Sequence, residues 1–319
     1  MFMIILYHGF YFYADNQWSL GGETIDAWDK IDTFLDIIDL PMFVFISGFL
    51  YGYLFFFKGK YRNKKQFIAS KAMRLLHPYF IWGLLLIIFM PSIFSLHNLL
   101  TGCGHLWFLL MLFGIFVIIT PLSNFLLLNS SSLWMPITTT ICSVGILFAF
   151  NLFSSHHYFL CSHAILYYMP FFIIGLYFAK HQLWQKKKNK YTLVILIVSL
   201  IILIQYVIIG KTIIFFVDYA IRLILGITII IATFISLCHI TISNNASQII
   251  NHFDKLAMGI YIIHAIILYA ILLTDGAKVY FNTHYYAGPF ILSGVSFFGA
   301  WFLSYLFSRN KWLSWTIGG

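Results

Sequence analysis

Apolar runs of about 20 residues recur along the whole chain, and that length, wound as an α-helix, spans the hydrocarbon core of a bilayer. Such runs leave little room for charge. Of the 319 residues, 61% are hydrophobic, 20% aromatic and 9% charged, whereas soluble domains carry about 25% charged residues. A mean hydropathy of +0.89 agrees. The reading is all-α: a polytopic membrane helical bundle. Soluble enzymes, secreted disulfide modules and DNA-binding domains are excluded.

A window of about 19 residues gives about ten candidate transmembrane helices. The first, residues 1 to 13, is shorter than the roughly 17 residues needed to span, and it lacks the basic n-region and cleavage site of a signal peptide. The others are read at 34 to 57, 78 to 97, 105 to 128, 133 to 152, 164 to 183, 191 to 209, 214 to 239, 257 to 273 and 288 to 307. No internal repeat, Pro-rich linker or soluble second domain is visible, so residues 1–319 read as one membrane domain.

The net charge of +9 does not point to nucleic acid, because the basic residues form short clusters between apolar runs instead of one stripe. Lys58, Lys60, Arg62, Lys64 and Lys65 make one cluster, Lys186, Lys187, Lys188 and Lys190 another, and Arg309 and Lys311 a third. With ten crossings all three fall on the cytoplasmic side of a cell membrane, together with both termini. Asp15, Glu23, Asp26, Asp29, Asp32, Asp36 and Asp39 then lie in or beside the first outer segment. Cys103, Cys142, Cys161 and Cys238 show no metal-ligand spacing and read as apolar filler.

Polar groups at membrane depth need partners from protein or water, so they are where function is sought first. His8 follows an apolar half-helix. Its imidazole either takes a proton from a hydroxyl as a general base or is held by a neighbouring helix. In Leu40–Leu50, Pro41 starts or kinks the second span, and Ser47 with Gly48 gives a small face for close packing or for a hydrogen bond to a ligand. Lys71 and Arg74 share a helix face ahead of Pro78, which is read as opening the third span. That face either anchors to membrane lipid or holds the phosphates of an anionic cosubstrate.

His105 and Trp107 open the fourth span on the outer side, where an indole either stacks on a sugar or anchors at the interface. Asp218 and Arg222, four residues apart inside the eighth span, read as a structural pair, since each charge alone would cost about 2.5 to 3.5 kcal/mol at that depth. Tyr261 and His264 share a face of the ninth span.

Taken in order, Tyr7–Phe10 (YHGF), Leu40–Leu50 (LPMFVFISGFL), Lys71–Phe80 (KAMRLLHPYF), Gly104–Leu110 (GHLWFLL), Tyr168–Phe178 (YMPFFIIGLYF) and Gly259–His264 (GIYIIH) resemble the integral-membrane acyltransferase family three. The nearest resemblance is to its branch of fucose and exopolysaccharide O-acetylases. It covers almost the whole chain.

The resemblance implies an O-acyltransferase that moves an acetyl group from cytoplasmic acetyl-CoA, a cosubstrate and not a bound cofactor, to a hydroxyl of a cell-envelope polysaccharide or lipid-linked sugar. On the same basis His8 matches the catalytic base. Lys71 and Arg74 match the basic pair near CoA, with Arg62 as a further phosphate contact. Ser47, Trp107 and His264 match motif positions of the family, with His264 open between substrate binding and structure; together with His105 and Tyr261 they are the acceptor or pocket candidates, and no metal is implied. Two departures stand out. The family carries an arginine about three helical turns ahead of its first-helix histidine, and this chain begins seven residues before His8, so its first helix reads as truncated. Position 71 is Lys, which keeps the charge but loses the guanidinium fork. The rival readings are an exporter of lipid-linked sugars and an inactive family member.

Overall fold

A computed structural model of the chain describes residues 1–14, 26–61, 63–128, 134–153, 159–185, 190–210 and 215–318. Asp15, Glu23, Arg62, Lys186, Lys187 and Lys188 lie outside the described residues. Among those described there is helix and no strand. In chain order the helices are α1 (Phe2–Tyr11), α2 (Asp26–Asp36), α3 (Asp39–Lys58), α4 (Lys64–Phe89), α5 (Asn98–Thr101), α6 (Trp107–Leu128) and α7 (Trp134–Phe153). They continue as α8 (Ser162–Lys180), α9 (Lys190–Ile209), α10 (Phe215–Cys238), α11 (Asn244–Leu272), α12 (Asp275–Thr283), α13 (Gly288–Arg309) and α14 (Lys311–Ser314). By length and composition, eight helical segments among the described residues can cross a membrane, and Phe2–Tyr11 and Pro136–Ala149 are shorter apolar helices. The all-α membrane bundle read from the sequence is therefore the fold.

Two boundaries differ for identifiable reasons. The third span starts well ahead of Pro78: α4 begins at Lys64, where Asn63 Oδ1 accepts the Gln66 N–H at 3.1 Å. Pro78 sits inside the helix instead of opening it. The amphipathic stretch before it is helical although too polar for a hydropathy window, and the helix stops at Phe89 because Pro91 cannot continue it. Likewise α11 begins at Asn244, not near 257, with Ser243 Oγ accepting the Ala246 N–H.

The chain divides into two compact units, with divisions inside α3, α9 and α10 and a fourth between α10 and α11. The first comprises Met1–Leu40, Val194–Ile229 and Ile240–Gly319. In it α1 packs on α2 and α13, and α11 packs along α13. A buried apolar cluster of Ile37, Ile38, Leu203, Tyr206, Val207, Leu225 and Ile229 joins the turn between α2 and α3 to α9 and α10.

The second unit comprises Pro41–Leu193 and Ile230–His239. There α4 packs on α6 and α7 on α8. Close approach of α3 and α8 depends on glycine at both surfaces: a Cβ on Gly48 would strike the Phe172 carbonyl, and one on Gly175 would strike that of Phe45.

Candidate active site

In the first unit the site is built on α13, whose Ser293, Ser296, Ala300 and Ser304 are buried. Their spacing of three or four residues makes one stripe of small side chains, the surface that lets membrane helices approach closely. Helix α1 uses its upper part: a Cβ on Gly9 would collide with Ser293 Oγ and stand 2.7 Å from the Pro289 carbonyl. Helix α11 uses the rest, with Gly259 against Ser304 and the Ser296 hydroxyl donating to the His264 carbonyl at 2.8 Å. By holding both helices, α13 brings residues 8 and 264 together.

His8 Nδ1 lies 2.8 Å from the Ile4 carbonyl, and His264 Nε2 lies 3.4 Å from that same Nδ1. The ring centroids are 5.0 Å apart. A carbonyl only accepts, so His8 Nδ1 carries the hydrogen and Nε2 of the neutral ring holds the lone pair. No hydrogen bond occupies that Nε2 among the described residues. His264 is fully buried whereas His8 is half-buried, so His8 is the more exposed of the two residues.

Aromatic rings border the pair. Tyr7 stands edge-on to His8 with centroids 5.2 Å apart, and Tyr261 lies 5.9 Å from His264. Asp32 and Asp36 on α2 are near enough to Tyr7 and Tyr11 for their charges to act on both. Among the described residues no three His, Cys, Asp or Glu side chains are grouped to hold a metal ion.

Arg222 ties three helices of this unit. Its Nε lies 3.0 Å from Asp218 Oδ2 and its Nη1 3.0 Å from Asp36 Oδ2. The Tyr206 hydroxyl donates to Asp218 and accepts from Arg222 Nε at 3.1 Å. One guanidinium thus serves α10, α2 and α9, and its fixed fork suits it to face two carboxylates together.

The second unit carries the remaining sequence candidates. Lys71 Nζ lies 4.6 Å from the Phe116 ring centroid and 5.5 Å from that of Phe67, a cation–π placement. Arg74, one turn on, is exposed. Burial raises the Tyr61 phenol above its ordinary pKa, while the Arg74 guanidinium acts in the opposite sense. Ser47 donates its hydroxyl hydrogen back to the Phe43 carbonyl at 2.9 Å, within its own helix. His105 is buried in the turn leading into α6, and Trp107 packs against Tyr168 with ring centroids 5.9 Å apart. Arg62 lies outside the described residues.

Sequence reasoning found His8 and His264 separately but not as a pair. It missed the α13 serines, whose signal was present as small residues at helical spacing, and it missed Asp36 and Tyr206, which have no sequence relation to Arg222 that periodicity can detect. No curated protein and no solved structure matches the chain. The family model described as an acyltransferase domain matches residues 1–309. Nearly the whole membrane bundle is thereby accounted for, and the chain belongs to the membrane acyltransferase family 3.

Proposed function

We propose that the chain is an O-acyltransferase of the cell membrane that transfers acetyl from acetyl-CoA to a hydroxyl of a cell-envelope polysaccharide or lipid-linked sugar, as in the O-acetylase branch it resembles. The observation that carries this reading is the His8 ring: Nδ1 is committed to the Ile4 carbonyl, which leaves the Nε2 lone pair to take a proton. The acceptor hydroxyl gives its proton to His8 Nε2 as its oxygen attacks the thioester carbonyl. The carbon–sulfur bond then breaks, CoA leaves as the thiolate, and the proton on His8 returns to that sulfur.

Lys71 and Arg74, one turn apart on α4, serve the CoA phosphates, the guanidinium through its fork and the ammonium as a point charge. The donor enters from the cytoplasm and the acceptor from the outside, following the expectation from the sequence that the basic loops face inward and the acidic residues outward.

Purified protein in nanodiscs, given labelled acetyl-CoA and a panel of envelope glycans, tests this. Label is expected on the sugar, and His8→Ala is expected to lower the rate about 10²- to 10⁴-fold, the usual contribution of a general base. Near-normal transfer by that variant would remove His8 from the mechanism. Lipid-linked sugar crossing the bilayer without CoA, and with no label transferred, would replace the enzyme with an exporter.

A further inference from the structure

We infer that His264 is a positioning residue for His8: its Nε2 accepts from His8 Nδ1–H, fixes the orientation of that ring and supports the positive charge that forms on it. This rests on the proposed base role of His8 and adds a second histidine to it.

The tautomers follow from the carbonyls. His264 Nδ1 lies 3.1 Å from the Ile260 carbonyl, so it too carries its hydrogen on Nδ1 and presents a lone pair at Nε2. That lone pair faces His8 Nδ1–H at 3.4 Å, while the same hydrogen is shared with the Ile4 carbonyl at 2.8 Å. Two rings of like tautomer therefore point head to tail, and the unoccupied Nε2 of His8 ends the chain. When His8 gains a proton its Nδ1–H becomes a stronger donor, so the long contact to His264 tightens as charge develops.

His264 does not need to reach substrate for this. It is fully buried, and its backbone is pinned by the Ser296 hydroxyl. A neutral acceptor also suits this depth, because a carboxylate in its place would bury an anion whenever His8 is neutral. Among the described residues the titratable and charged groups around the pair include Tyr7 from α1, Tyr261 from α11, and the groups that reach Tyr7, which are Asp32 and Asp36 of α2, Asp39 at the start of α3 and Tyr11 of α1. Arg222 offsets Asp36, and the polar group that α13 adds beside α1 is the uncharged Ser293. None of these lies in the Ile260–His264–His8 chain of contacts.

The test uses the full chain in nanodiscs with 13C,15N-labelled histidine and follows the His8 ring by NMR as pH is varied, its resonance assigned from the spectrum of H8Q. In the wild type both rings are expected in the Nδ1–H form. Gln places an oxygen near the position of Nε2, whereas Asn mimics Nδ1 and stops short of His8. H264N is expected to lower the His8 titration midpoint by about half a pH unit or more, roughly threefold or more in proton affinity, and H264Q to restore it. In the labelled acetyl-CoA assay H264N is expected to slow transfer about tenfold with little change in KM for acetyl-CoA. An unchanged midpoint in H264N, H264Q and H264N behaving alike, or an Nε2–H tautomer of His8 would each overturn the inference. The titration needs no turnover, so its failure is distinct from absence of acetyl transfer by the wild-type protein, which would overturn the acyl-transfer reading itself.

Discussion

His264 Nε2 stands 3.4 Å from His8 Nδ1 across 256 positions of sequence, and the two rings meet because α1 and α11 both lie against the small-residue stripe of α13. The contact is made by packing and not by local sequence. Each helix contributes a glycine at its crossing with α13, so the ring spacing depends on side chains that are absent as much as on those present.

Gly9 is the sharpest test of that packing. Replacing it with Leu should push α1 off Ser293 and the Pro289 carbonyl, costing about 1–3 kcal/mol as overpacking does. The thermal unfolding midpoint in detergent should fall and acetyl transfer should be largely lost. Gly294→Ala, at a site where an added Cβ meets nothing within 4 Å, should leave both unchanged or slightly raise stability, since Ala favours helix over Gly.

Arg222→Ala leaves Asp36 and Asp218 facing each other without their shared cation. A loss of about 2–4 kcal/mol is expected for a largely buried pair broken on one side, read as a lowered melting temperature. Arg222→Lys should recover only part of it because one ammonium cannot replace the fork. Equal melting of wild type and Arg222→Ala would show the network to be energetically idle.

The donor-binding role proposed for Lys71 and Arg74 is open to kinetics. Arg74→Ala, at an exposed position, should raise KM for acetyl-CoA about tenfold with kcat little altered, and the effect should shrink at high salt. Lys71→Met keeps apolar contact with Phe67 and Phe116 while removing the charge. It should raise KM without lowering the melting temperature. Steady-state kinetics at two ionic strengths decide the matter.

Gly48→Val tests the other unit. The Phe172 carbonyl occupies the space its Cβ would need, and backbone cannot swing aside as a side chain can. Poor recovery of folded protein by size-exclusion chromatography is expected, whereas Ser47→Ala, which loses only a bond to its own helix, should be recovered normally.

Much of the fold was legible in the chain because a bilayer imposes one rule on every span: about 20 apolar residues with the backbone satisfied internally. Runs such as those of α6, α9 and α13 announce themselves by hydropathy. The rule fails where helix extends beyond the apolar run, as in α4 from Lys64 and α11 from Asn244, because helix formation there rests on capping and amphipathic spacing to which a hydropathy window is blind. Pro78 misled for a related reason: inside a long apolar helix the backbone group it frees does not end the span.

What the sequence determined by itself was the class of molecule, a helical membrane acyltransferase, and it singled out candidate site residues, His8 foremost among them. What the tertiary structure decided was their pairing. That His264 stands behind His8 and that Arg222 faces Asp36 as well as Asp218 are set by which faces of α1, α2, α10, α11 and α13 meet. Hydropathy specifies that a helix is buried in lipid but not its rotation or its neighbours. Those are fixed by small-residue contacts between helices far apart in the chain.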